Sequence, residues 1–247
     1  MTPRNVSRET EKNWQAMPLD ALLNEAAKRL GFALEPEQIT SLLFYLSELM
    51  RWNEKINLVG PATPAHIVIR HLADSLSSLP FLPFRSLRLL DLGSGGGFPG
   101  LPLKILRPAW SVSLAESNQK KITFLKEMAR KLSLKRVDIL PVRVGQQPEN
   151  PPLKSYDLVT ARALAPLSDL LPLARPYLSP GGTILAYKGP RAFRELRDAE
   201  KTLADQGLEL ARRETFNLPF LNHRRVLLFF KISSAFHQGP LKPARKD

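Results

Sequence analysis

Asp91, Gly93, Gly95 and Gly97 alternate along Arg88-Leu-Leu-Asp-Leu-Gly-Ser-Gly-Gly-Gly-Phe-Pro-Gly100, a spacing suited to holding a nucleoside. The apolar run into Asp91 predicts a strand, and Phe98-Pro99-Gly100 opens a helix. A strand ending in such a loop delivers it to the carboxyl edge of a parallel sheet, where α/β folds bind ligands. A Cβ on these glycines would hold the backbone off the ligand or forbid the turn. A second apolar run, Val112-Ser-Leu-Ala-Glu116, ends in an acid at about the distance along the chain at which ribose hydroxyls are met.

Two nucleoside chemistries compete for this loop. A dinucleotide site needs Gly-x-Gly-x-x-Gly over a pyrophosphate. That pattern fails when counted from Gly93, where the third position is Phe98, and is met from Gly95, where it is Gly100. The fuller spacing, Asp-x-Gly-x-Gly-x-Gly, resembles the S-adenosylmethionine loop of class I methyltransferases. That cofactor carries an ammonium and a sulfonium and no phosphate, so Asp91 suits it and would repel a pyrophosphate.

Other side chains are candidates by type and place. His71 and Asp74 lie at i, i+3 on a predicted helix and share a face. They can orient RNA, close the cofactor pocket or simply stabilise the helix. Asn57 can bond a base edge or cap a loop. Arg70 and Arg162 can hold phosphate or pair on the surface. Lys188 follows a strand at the active edge, which favours function. Arg224, in His223-Arg224-Arg225 at the opening of the last strand, can touch RNA or belong to a charged turn. Trp52 is expected in the core rather than as a stacking platform. Asn150-Pro151-Pro152-Leu153 is like the Asn-Pro-Pro-aromatic motif of amino-group methyltransferases, but it precedes its strand and ends in leucine. It is expected to be a loop.

Composition removes several chemistries. There are no cysteines, so disulfides, thiolate metal sites and the cysteine-dependent methylation of pyrimidine C5 are excluded. His66, His71, His223 and His237 form no His-x-x-x-His cluster, so no metal is expected. Lys plus Arg total 36 against 23 Asp plus Glu, a formal net charge of +13 that favours a polyanion such as RNA, DNA or an anionic surface and also fits a protein that is merely soluble and basic. The basic residues are spread through 120–136, 188–197 and the tail, so no single patch is legible. Arg191, Arg194 and Arg197 lie along one side of a helix that also carries Glu195, Asp198 and Glu200, and the expectation is a solvated face. No long apolar run predicts a membrane span, and the amino terminus lacks an apolar signal core. The expected compartment is the cytoplasm.

These candidates need a scaffold, and the alternation of apolar runs supplies it. Residues 1–16 are read as a mobile arm. Helices are predicted from Leu19 to Leu30, from Pro36 to Trp52 and from Thr63 to about Ser78, with a linker at 80–85. Strands are predicted at 88–92, 111–116, 137–142, 156–161, 182–187 and 225–231, with helices near 100–107, 118–132, 166–177 and 191–206. Pro180-Gly181-Gly182 is read as a turn into its strand. Regular alternation predicts a parallel sheet covered on both faces.

The resemblance is closer than a fold class. Asp91-Leu-Gly-Ser-Gly-Gly-Gly-Phe-Pro-Gly-Leu-Pro-Leu-Lys104 with Arg107-Pro108 is similar to the signature of the bacterial small-subunit ribosomal RNA guanine-N7 methyltransferases, the RsmG or glucose-inhibited division protein B family. Arg51-Trp-Asn-Glu-Lys-Ile-Asn-Leu58, Ile69-Arg-His-Leu-Ala-Asp-Ser75, Arg162-Ala163 and Lys188-Gly189 resemble further motifs of that family, in order, across Pro18 to Lys231. The resemblance implies a class I S-adenosylmethionine-dependent methyltransferase: a Rossmann-like, mostly parallel seven-stranded sheet with helices on both faces, plus an N-terminal helical extension. It implies residues 1–85 as arm and helical region, 86–232 as methyltransferase domain and 233–247 as basic tail. The implied reaction is methyl transfer to N7 of a guanine in 16S rRNA, on free rRNA or the 30S subunit, by a monomer. By position, Gly93, Phe98, Val144, Gly145 and Arg162 carry the cofactor contacts and Glu116 the ribose acid. Gly145 stands where the family usually has an acid.

The implied chemistry fits the missing constellations. Guanine N7 has an in-plane lone pair and no proton, so its methylation needs no general base, only alignment. Other classes stay open at this point: a methyltransferase for a small molecule or protein, a non-catalytic ribosome-assembly factor that retains cofactor, and more distantly a dehydrogenase.

Overall fold

Two amphipathic helices open the described chain, which the computed structural model covers over residues 13–145 and 155–234. Leu19–Arg29 is α1 and Pro36–Asn53 is α2. Proline stands at the first position of α2, and the Gln38 side chain accepts the Glu35 amide at 3.0 Å, so the helix start is fixed locally. Leu42, Tyr45, Leu46 and Leu49 form its buried stripe. The third predicted helix is interrupted. It runs as α3, Pro64–Ile67, then a π-helical turn, Val68–Ala73, then α4, Asp74–Leu76. Such turns are frequent at functional sites, and this one carries Arg70 and His71.

The sheet follows. Its elements are β1 (Arg88–Leu92), α5 (Gly100–Leu106), β2 (Ser111–Glu116), α6 (Gln119–Lys131), β3 (Val137–Pro141), β4 (Tyr156–Arg162), α7 (Leu167–Ala174), β5 (Leu178–Lys188), α8 (Ala192–Asp198), α9 (Glu200–Asp205), β6 (Leu208–Asn217) and β7 (Arg224–Ile232). The strand order is β3-β2-β1-β4-β5-β7-β6, with β1 to β5 parallel and β7 antiparallel to both neighbours. The order reverses between β1 and β4, and the crevice at such a reversal is where open α/β sheets bind ligands. This is the seven-stranded class I methyltransferase architecture.

Successive strand residues serve two cores, which is why the strands read as nearly continuous apolar runs. Leu89, Leu185 and Phe229 join Leu22, Leu42, Ile69, Leu101 and Phe124 on the face carrying the N-terminal helices and α6. Leu90, Ile184 and Phe230 join Leu170, Leu171 and Ala192 on the face carrying α7 and α8. Two polar ties cross the first interface. The Tyr45 hydroxyl donates to the Gly96 carbonyl, and the Tyr187 hydroxyl donates to the Ser75 carbonyl at 2.9 Å while meeting Ser78 Oγ at 2.7 Å.

Three expectations are corrected. Pro180-Gly181-Gly182 lies inside β5, not before it: the pairing jumps from Tyr156↔Leu178 to Leu158↔Thr183, so the extra residues bulge from the ladder. The helix expected over 191–206 breaks at Ala199. The edge strand β6 has no counterpart among the predicted strands.

Candidate active site

The glycine loop is stitched to the end of β2. The amides of Gly93 and Ser94 donate to the Ala115 carbonyl at 2.9 and 3.1 Å. Gly93 has φ +68, and a Cβ there would lie 2.7 Å from Leu164 Cδ1. The Gly95 amide donates to Glu116 Oε2 at 2.9 Å, while Oε1 accepts the Ser117 and Asn118 amides at 2.9 and 2.8 Å. A carboxylate offers about four lone-pair positions. Three are taken, and the fourth is left for a donor such as a ribose hydroxyl.

Gly93, Gly95, Glu116, Lys121, Val144 and Leu164 line a cleft of about 420 Å³ at the carboxyl edge of β1 and β2, with Val142 and Leu173 on its apolar side. A bare glycine backbone, an acid and an apolar wall fit the amino-acid, ribose and adenine parts of S-adenosylmethionine respectively. Gly145 adjoins Val144 at φ +88, and a Cβ there would come 2.6 Å from Leu173 Cδ2. In this chain the place where the family usually carries an acid has a glycine-favouring backbone packed on a leucine.

Asp91, Gly97 and Phe98 support the loop from behind and are not among the cleft's lining residues. The Asp91 carboxylate is fully buried, with Oδ1 accepting from Thr160 Oγ1 at 3.0 Å and Oδ2 from the Gly100 amide at 3.2 Å. Burial pushes its pKa up to about 6 against these bonds and Arg162. Gly97, at φ +95, passes under Tyr45 and Leu101.

A second cluster lies where β4 ends. Arg162 donates through Nη1 to Asp74 Oδ2 and the Arg70 carbonyl, both at 3.0 Å, and through Nη2 to His71 Nδ1 at 2.8 Å. Its guanidinium carbon is 5.0 Å from the centre of the Phe98 ring. Asp74, its side chain 2% exposed, also has Oδ1 3.1 Å from Arg225 Nε. Burial, then the charges of Arg162, Arg225 and Arg70, depress the His71 pKa to about 3. Ala163 follows at φ 55, a left-handed turn at a non-glycine residue, and such conformations concentrate at functional sites.

The predicted site residues thus divide. Gly93, Gly95, Glu116 and Val144 meet at one cleft. His71, Asp74 and Arg162 meet at its neighbour, with Phe98 beneath them. Lys188 is drawn inward: its ammonium donates to Ala165 O and Glu195 Oε2, both at 2.7 Å. Arg70 and Arg224 are exposed, as is Asn57, which lines a separate groove. The reading from sequence missed Thr160 and the pairing of Arg225 with Asp74. A threonine inside the apolar run Leu158-Val-Thr-Ala161 was the available signal for the first. The Asn150-Pro151-Pro152-Leu153 segment lies outside the described residues. Among the described residues no group of acids and histidines could hold a metal, and no helix is long and apolar enough to cross a membrane.

The family model for rRNA small subunit methyltransferase G matches residues 38–224. A ribosomal RNA small subunit methyltransferase G from Syntrophus aciditrophicus is 38% identical over 214 residues, 86% of this chain and 89% of that protein. The fold is shared with a ribosomal protein L11 methylase from Lactobacillus delbrueckii subsp. bulgaricus, at TM-score 0.53 and 17% identity over 66% of this chain and 79% of that one. It is shared equally with the [4+2]-cyclase SpnF, at TM-score 0.53 and 15% identity over 80% of this chain and 96% of that one. The fold alone therefore does not select the reaction.

Proposed function

The chain belongs to the rRNA small subunit methyltransferase G family, and from that premise we propose that it transfers a methyl group to N7 of a guanine in 16S rRNA at the cleft above Gly93, Gly95 and Glu116. It is an S-adenosylmethionine-dependent rRNA methyltransferase. The observation that carries the reading is the convergence of motifs spread from Arg70 to Arg162 on one sheet edge.

S-adenosylmethionine, when bound, supplies an electrophilic methyl on a sulfonium. The chain's own task is placement. Gly93 and Gly95 let the backbone approach, Glu116 fixes the ribose, and Val144 with Leu173 receives the adenine. The N7 lone pair attacks without losing a proton, so no side chain has to act as a base. The purine becomes cationic as it is methylated. Asp74 offsets one of the two guanidinium charges it faces, those of Arg162 and Arg225, and His71 stays neutral, so neither group adds to the positive charge beside the reacting base.

Exposed Arg70 and Arg224 are assigned to RNA phosphate, while Arg162 and Lys188 act through the groups they hold in place. We assign catalysis to residues 86–232, a monomeric chain acting in the cytoplasm on free 16S rRNA or the 30S subunit. The test is labelled methyl transfer to 30S subunits and to 16S rRNA from cells lacking the modification, read by mass spectrometry of nucleosides. New 7-methylguanosine, lost with Gly93→Arg, is the expected result. Cofactor binding with no modified nucleoside in either substrate would overturn the assignment.

A further inference from the structure

We propose that a lysine-lined groove between the ends of α2 and α6 carries single-stranded rRNA next to the target guanine toward the cofactor cleft; this rests on the rRNA methyltransferase reading above. Three hollows run in series. Arg51, Trp52 and Lys55 line the outermost, about 130 Å³. Lys55 also lines the next, about 380 Å³, with Ile56, Asn57, Asn118, Lys120 and Lys121. Lys121 in turn lines the cofactor cleft. Two shared lysines therefore link Trp52 to the place of methyl transfer, although Lys55 comes from the turn after α2 and Lys120 from the first turn of α6.

The lysine charges of this groove are uncompensated, while Arg51 beside Trp52 pairs with Glu48 at 2.6 Å. No carboxylate lines either outer hollow. Among the described residues Lys55, Lys120 and Lys121 make no ion pair, whereas Lys131 further along α6 binds Glu48 and Glu127. Lys120 and Lys121 sit in the first turn of α6, which holds no acid, where the helix dipole already disfavours cations. Two lysines there are a local cost that a bound polyanion relieves. Trp52 adds an aromatic surface. It is half-buried, with its ring edge-on to Phe124 at 5.7 Å, so the expected core residue is only partly in the core. Cations tracking a backbone beside an aromatic on which a base can stack are the combination that binds single-stranded RNA.

The test is the salt dependence of 16S rRNA binding by the full chain and by Lys55→Ala/Lys120→Ala, which leaves Lys121 at the cleft. Two lost contacts to single-stranded phosphate should lower the slope of log K against log salt by about 1.4 and raise the KM for the rRNA substrate roughly tenfold. Cofactor affinity should stay within about twofold, since neither side chain lines the cleft. An unchanged slope in an enzyme that methylates rRNA overturns the groove and leaves the function standing. The same drop from Arg194→Ala/Arg197→Ala, on exposed α8, also overturns it by making the effect one of general charge. A KM effect with 30S subunits and no change in binding to deproteinised rRNA gives the groove to a ribosomal protein and overturns it too. Absence of rRNA methylation by the unaltered chain removes the function and the groove together.

Discussion

Arg162 Nη1 lies 3.0 Å from Asp74 Oδ2, joining the end of β4 to the first residue of α4 across 88 positions of sequence. Asp74 thereby sits between two guanidinium groups, those of Arg162 and Arg225. Asp74→Asn leaves both cations facing a neutral amide, and removal of one partner from a buried pair costs about 3 kcal/mol or more. Arg162→Lys keeps a charge for Asp74 but loses the fork to His71 and the Arg70 carbonyl, costing about 1–2 kcal/mol. Urea denaturation should rank the two in that order.

The ring of His71 has a fixed tautomer. Arginine only donates, so Nδ1, bonded to Arg162, is the acceptor and the proton sits on Nε2. With its pKa depressed to about 3, the ring should show no titration between pH 5 and 8. Nitrogen NMR of labelled histidine checks both points. Because the folded value is below the ordinary one, the stability from neutral His71 is complete above about pH 6.5 and is lost as pH falls toward 3.

Asp91 runs the other way. Its folded pKa, about 6, lies above the ordinary 3.8, so the folded state holds the proton more tightly. Its contribution is complete below about pH 4 and declines as pH rises through 6. Measured against Asp91→Asn, the stability of the unaltered chain should drop by up to about 3 kcal/mol between pH 4 and 7. A flat difference in denaturation across that range would contradict this account of the buried carboxylate.

Glu116→Gln tests the preorganised loop. A glutamine cannot accept all three amides that Glu116 now accepts, because half of its head group is a donor. The loop at Gly95 should loosen, and affinity for S-adenosylmethionine should fall roughly tenfold or more by calorimetry. Global stability should change less, since the three amides it accepts belong to the loops after β1 and β2 rather than to the ladders of the sheet.

The glycine loop and its acid were legible because local sequence decides them: an apolar run, glycines with positive φ and a proline-opened helix leave few alternatives. β1 and β2 begin and end where the apolar runs do. β6 was hidden for the opposite reason. It is an edge strand, mostly exposed, and its register shifts between Leu210 and Arg212, which breaks the period of two. The inward roles of Arg162 and Lys188 were equally hidden. A cation after a strand looks the same whether it faces RNA or turns back to a carboxylate. Asp74 lies 88 residues from Arg162, and Glu195 lies beyond a turn from Lys188. Lys55 and Lys120 are neighbours only because α2 packs against α6.

The bond between Ser78 and Tyr187 spans 109 residues, and it bears on the order of events during synthesis. The helices before β1 bury their apolar stripes against Leu185, Leu227 and Phe229, which leave the ribosome long after them. Until β5 and β7 exist, α1 to α4 have only the β1, β2 and β4 part of their sheet to cover, and such incomplete nascent surfaces are where aggregation begins. Completion of the last strand, rather than emergence of the first helices, therefore sets the moment at which this enzyme becomes a folded protein.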